Sequence, residues 1–136
     1  MGAARRIRSA LIGVPVTLPP ALLDRFPELA HARYRRGGMP PRIGGWALRR
    51  SSVSAITLWK TVFLAPEAGF PAELLLHELA HVRQFEDVRG FPVRYIWESL
   101  RTGYRGNRYE VAARLFAAHR LRTAGPSSPS LPAQEV

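Results

Sequence analysis

Residues 71–87 read Pro-Ala-Glu-Leu-Leu-Leu-His-Glu-Leu-Ala-His-Val-Arg-Gln-Phe-Glu-Asp. A proline at the start, no glycine or proline inside and Gly90 just beyond predict one helix over this stretch. On it His77 and His81 are displaced by ~40° and ~6 Å, so both imidazoles leave one side and can meet a single ion. Glu78 stands ~100° round from His77, close enough to reach a water on that ion without ligating it. With His77 at zero, Leu74, Leu75, Glu78, His81, Val82 and Phe85 fall at ~40–160°, while Arg83, Gln84 and Asp87 lie on the polar side. Glu78 therefore sits inside the apolar stripe. A buried carboxyl is costly unless it is hydrogen-bonded or close to a cation.

His77-Glu78-Leu79-Ala80-His81 matches the H-E-x-x-H pattern of zinc hydrolases, and Zn2+ is the expected cofactor. The chain has no cysteine, so any metal must be held by His, Asp or Glu. A catalytic zinc usually has three protein ligands and one open position, which requires one more ligand from elsewhere. The candidates are Asp87, Glu86, Glu98, Glu110, His31 and His119. Asp87 has the spacing of H-E-x-x-H-x-x-G-x-x-D, but Gln84 replaces the helix-breaking glycine. On an unbroken helix Asp87 points ~120° and Glu86 ~140° away from His81. Glu98, with Arg94 four before and Arg101 three after, reads as part of a surface ion-pair cluster on a second helix whose apolar face is Val93, Ile96, Trp97 and Leu100. His31 reads as structural, and His119 projects from nearly the opposite side of its helix to Glu110. Glu110 itself follows Asn107 by three residues, as in a capping box. Its wheel neighbours Ala113, Ala117 and Leu121 form a small-residue face that can lie close to the histidine helix. Ligation by Glu110 is favoured over capping alone, and one carboxylate can partly do both.

Outward from this motif, 136 residues suit one domain. A short helix is expected from Pro19, ended by Pro27, then strands around 29–36 and 46–50 punctuated by Gly37-Gly38 and Gly44-Gly45. Residues 55–64 read as the clearest strand, with Ile56, Leu58, Val62 and Leu64 on one face and Thr57, Trp59, Thr61 and Phe63 on the other. Helices are expected over 71–87, 92–102 and 107–122. Strands first and helices afterwards argue for an α+β fold: a small antiparallel or mixed sheet followed by an HExxH helix and a glutamate-bearing helix. The expected boundaries are a flexible N-terminus over 1–13, a domain over 14–122 and a disordered Pro/Ser-rich tail over 123–136.

The formal net charge is +10, carried by arginine except for Lys60. It favours nucleic acid, anionic lipid or acidic protein as a partner without specifying a reaction. No apolar run approaches a membrane span, and the stretch before Pro15 is shorter than a secretory core, so a cytoplasmic location is expected.

His77 to Gln84, followed by Gly103-Tyr-Arg-Gly-Asn-Arg-Tyr-Glu110-Val-Ala-Ala-Arg114, resembles the gluzincins. These are zincin metallopeptidases whose third zinc ligand is a glutamate on a later helix. The closer likeness is to small bacterial zincin-like domains, over about residues 50–120. The resemblance implies a minimal zincin-like fold over 14–122, zinc held by His77, His81 and Glu110, and Glu78 polarising the attacking water. It also implies that the strand around 56–64 is the edge strand that pairs with an extended peptide. Large gluzincins often carry an acidic residue one turn after the ligand glutamate, where this chain has Arg114, and a further helical subdomain for which this chain has no room.

The expected function is zinc-dependent hydrolysis of peptide bonds in a peptide or protein substrate, with Glu78 as the general base. Tyr104, Tyr109 and the nearby arginines are candidates for stabilising the oxyanion. The alternative is a non-catalytic, zinc-stabilised module that binds nucleic acid or an acidic partner through its arginines.

Overall fold

Prolines and glycines mark most of the breaks between elements. In a computed structural model, residues 2–40 and 54–124 are described. They form helix α1 (Gly2–Ile12), strand β1 (Val14–Pro15), helix α2 (Pro20–Arg25) and a 3-10 turn (Pro27–His31). Strands β2 (Arg33–Arg36), β3 (Ala55–Leu58) and β4 (Thr61–Leu64) follow, then helices α3 (Ala72–Asp87), α4 (Phe91–Gly106) and α5 (Arg108–Thr123). The fold is α+β. The strand read at 46–50 and most of the tail, from residue 125, lie outside the described residues. The strand expected over 29–36 is shorter, because the chain first makes the 3-10 turn.

The sheet is mixed, in the order β1-β2-β4-β3, with β2 and β4 parallel and the other pairs antiparallel. The single strand expected over 55–64 is instead a hairpin. Its two-residue turn is Trp59-Lys60, and Trp59 occupies left-handed backbone space at φ 53°. The β-branched and aromatic residues on both sides conceal this turn, which lacks the Asn-Gly or Asp-Gly signal. The turn also changes the faces: Ala55 pairs with Leu64 and Thr57 with Val62, so these four share one side. That side looks towards α3, and Val62, Leu64, Leu75, Leu76, Leu79 and Val82 join the buried core there.

Helix α3 is buried almost all round at its centre, where Glu78, Leu79, Ala80, His81 and Val82 are all buried. The sheet lies against one side, and α5 packs along another. The stripe expected at ~40–160° is thus only part of the covered surface. Ala113 and Ala117 on α5 are fully buried, so two small residues let the helices approach closely.

The corner between α4 and α5 is made by Gly103 and Asn107. Gly103 has φ 74°, which breaks the helical path that was expected to close there. Asn107 is completely buried and caps α5: its Oδ1 accepts from Tyr109 N at 2.9 Å. Its Nδ2 donates to Tyr95 O at 3.1 Å and Ser99 Oγ at 2.8 Å, fastening the start of α5 to α4.

Within the stretch expected to be a flexible N-terminus, Gly2–Ile12 form α1, none of whose side chains is buried. Its end is held to β2 by Arg35, which donates to Ile12 O at 2.7 Å and Gly13 O at 3.1 Å. Gly13 is required at this junction, because at φ 68° a Cβ would meet the Arg36 carbonyl.

Candidate metal centre

Helix α3 presents His77 and His81 on successive turns, and the first turn of α5 brings Glu110 to them. Glu110 Oε2 lies 2.9 Å from His77 Nε2, and Oε1 lies 3.1 Å from His81 Nε2. The two Nε2 atoms are 3.2 Å apart. Among the described residues these three form the one group of His, Asp or Glu whose donor atoms converge as a metal site requires. Glu110 makes no reciprocal capping bond: the backbone N–H of Asn107 donates to Tyr104 O instead. The carboxylate is committed to the histidines.

Protons on His81 can be assigned from its neighbours. Gln84 Nε2 donates to Tyr109 O at 3.0 Å, which leaves Gln84 Oε1 as an acceptor 2.8 Å from His81 Nδ1. Nδ1 therefore carries the hydrogen, and a neutral His81 turns its Nε2 lone pair towards Glu110. A lone pair facing a carboxylate oxygen at 3.1 Å needs a proton or a cation between them. Burial opposes the charged form of His81, but the bond to Glu110 and the fields of Glu78 and Glu110 outweigh it and raise its pKa. Burial likewise opposes ionisation of Glu110, yet hydrogen bonds from His77, His81 and Tyr95 hold its carboxyl well below the usual range.

A divalent ion fits the same donors. Tetrahedral bonds of 2.0–2.1 Å put ligand atoms ~3.3–3.4 Å apart, and the contacts of 2.9–3.2 Å among the two Nε2 atoms and the two Glu110 oxygens each lie a few tenths of an ångström short of that spacing. A metal's usual outer contacts are also present. Gln84 orients His81, and Tyr95 Oη donates to Glu110 Oε1 at 2.6 Å, with burial first and Glu110 second in raising the tyrosine pKa. The acceptor for His81 is thus Gln84, whereas Arg114 donates to Arg105 O at 2.8 Å.

Glu78 is 6% exposed and receives Thr57 Oγ1 on its Oε2 at 2.6 Å. Thr57 belongs to β3, the last of the described strands in the sheet order, so that strand and the HExxH helix meet at this carboxyl. The sequence points to His77, Glu78, His81 and Glu110, which the fold brings into one neighbourhood, but not to Thr57, Gln84 and Tyr95, which bond to them. Gln84 was within reach of sequence reading, being three residues after His81 on one helix. Thr57 and Tyr95 depend on how β3 and α4 pack.

The remaining candidates lie elsewhere. His31 Nε2 and Glu86 Oε1 are paired at 2.7 Å on the surface, and Asp87 and His119 are exposed. Glu98 corrects the expectation of a surface cluster with Arg94 and Arg101: it is buried, 3.4 Å from Arg101 and 3.8 Å from Arg108, while Arg94 donates to Arg89 O. Helix α4 turns its Glu98 side inward.

No helix among the described residues is long and apolar enough to cross a membrane. Comparisons of this chain with family models, with curated proteins and with solved structures find no match.

Proposed function

We propose that the protein is a zinc-dependent, gluzincin-like peptidase in which His77, His81 and Glu110 hold the metal. The observation that carries this reading is the convergence of two imidazole nitrogens and one carboxylate, with the other nitrogen of His81 already committed to Gln84. Zinc fits a site built from imidazole and carboxylate without thiolate, although these donors also suit other first-row ions. Bound there, the ion would supply Lewis acidity to a water and to the scissile carbonyl.

The chain's own residues would do the rest. Glu78 takes the proton of the attacking water and returns it to the leaving amine. The Thr57 hydroxyl fixes one oxygen of Glu78, and the other would be the one that accepts the proton. Tyr95 and Gln84 hold Glu110 and His81 in their ligating orientations. Among the described strands β3 ends the sheet order, which supports an extended peptide as substrate, because such an edge can add one strand.

The test combines metal analysis with casein or peptide cleavage by the wild type and Glu78→Gln at matched zinc occupancy. One zinc per chain and a loss of cleavage in the variant are expected. Equal cleavage by both proteins would refute Glu78 as the base. Absence of cleavage in both, with steep salt-dependent binding of DNA or RNA unchanged by the substitution, would favour the binding module.

A further inference from the structure

Helix α4 is mounted with its apolar stripe facing outward. Val93, Ile96, Trp97 and Leu100 are 74%, 59%, 65% and 78% exposed. They fall within ~100° of arc, and Arg94 and Arg101 border them ~40–60° beyond Trp97. The inward side is held by Phe91, by Tyr95 on Glu110, and by buried Glu98. The apolar side chains are not needed to keep α4 in place, and contiguous exposure of this kind marks a surface that meets something.

We infer that this face of α4 docks the protein on an anionic lipid surface. Three observations select that occupant. Arg89, Arg94, Arg101 and Arg105 are all exposed along or just before α4 in a chain of net charge +10. A second copy would bring the same arginines against them, and like charges oppose that pairing. The stripe runs along a single helix. A bilayer interface accepts such a helix lying in its plane with Trp and aliphatic side chains sunk below the headgroups and arginines among them. Finally, α1 repeats the combination: it has no acidic residue, carries Arg5, Arg6 and Arg8, and leaves Ile7 and Leu11 60% and 53% exposed. This inference does not depend on the proposed peptidase activity.

The experiment is co-sedimentation of the full chain with phosphatidylcholine vesicles, with and without about one-third phosphatidylglycerol, at low and high salt. Binding is expected only to the anionic vesicles, weakening as salt rises. The double variant Trp97→Ser, Leu100→Ser leaves the net charge unchanged and alters only exposed side chains. It should keep the wild-type circular dichroism and thermal midpoint and bind about tenfold or more weakly. Equal binding by variant and wild type, equal binding to neutral vesicles, or no sedimentation with either vesicle would overturn the inference. So would a concentration-dependent dimer of the wild type that the variant abolishes, since the stripe would then be covered by a second copy.

Discussion

Replacing Gln84 tests the metal centre without touching a ligand. In Gln84→Ala, His81 Nδ1 loses its acceptor at 2.8 Å and Tyr109 O loses its donor at 3.0 Å. The first loss frees the His81 ring to rotate and to take the other tautomer, which puts a hydrogen on the nitrogen that should ligate. The second loosens the residue next to Glu110. Removing a single outer partner of a metal-bound histidine typically weakens binding by about 10–100-fold. That is about 1.4–2.8 kcal/mol, comparable with the hydrogen bonds lost. Gln84→Glu separates the two effects. It keeps an acceptor for Nδ1 but sets a carboxylate oxygen against the Tyr109 carbonyl, so its affinity should fall less than that of the alanine variant. The assay is competition for Zn2+ with a chromophoric chelator, with circular dichroism confirming the fold. An alanine variant that is folded and binds zinc within about twofold of wild type would refute the tautomer argument.

Other consequences can be checked in the same preparations. Tyr95→Phe removes the 2.6 Å bond to Glu110, and zinc affinity should fall about tenfold with little change in secondary structure; unchanged affinity would show that the bond does not orient the carboxylate. Asn107→Ala removes three hydrogen bonds at a fully buried corner, and urea unfolding should show a loss of about 2–4 kcal/mol, a loss below 1 kcal/mol contradicting its role as the fastening of α4 to α5. Burial opposes ionisation of Glu28, but its bond with Arg120 prevails and lowers its pKa. The stabilisation from that depressed pKa is present above the unfolded carboxyl value of about 4.3 and is lost as pH falls through the folded value. Glu28→Gln should accordingly flatten the acid side of the thermal midpoint plotted against pH, and an unaltered slope would count against the pair.

Helices α3 and α5 were legible because their signals are local. Pro71 and the break near Gly90 bound the first, Asn107 caps the second, and the four-residue spacing of His77 and His81 is itself a statement about geometry. The meeting of Glu110 with that pair was foreseen from Ala113 and Ala117, since small residues on one side imply close approach. What escaped reading was set by competition between distant groups. Residues 55–64 contain no Gly, Pro, Asn or Asp and are rich in β-branched and aromatic side chains, so the turn at Trp59-Lys60 carries no usual turn signal. On α4 the apolar stripe ought to win the interior by area, yet Phe91, Tyr95 and Glu98 occupy it. Tyr95 reaches Glu110, and the backbone of Tyr95 and the side chain of Ser99 receive the amide of Asn107. A helix wheel ranks faces by hydropathy alone, so it cannot weigh those partners.

The distribution of charge inside this basic chain adds an argument that the motif alone does not supply. Arginines dominate the surface of α4, whereas the buried neighbourhood of His81 contains two carboxyl groups, Glu78 and Glu110, at 6% and 3% exposure. Among the described residues, the ion pairs of Glu110 are to the two imidazoles and the 2.6 Å partner of Glu78 is an uncharged hydroxyl. A chain with twenty basic residues that needed only to neutralise these acids could have placed one guanidinium between them, as it does at Glu28 with Arg120. It surrounds them instead with groups that lend lone pairs or orient them. Neutral imidazoles leave such a cluster short of positive charge, and burial makes that shortage costly. A divalent cation removes it at the one point where all three donors already face each other, and a proton on His81 removes only part of it. The charge balance of the fold thus adds to the sequence motif as support for the proposed metal ion.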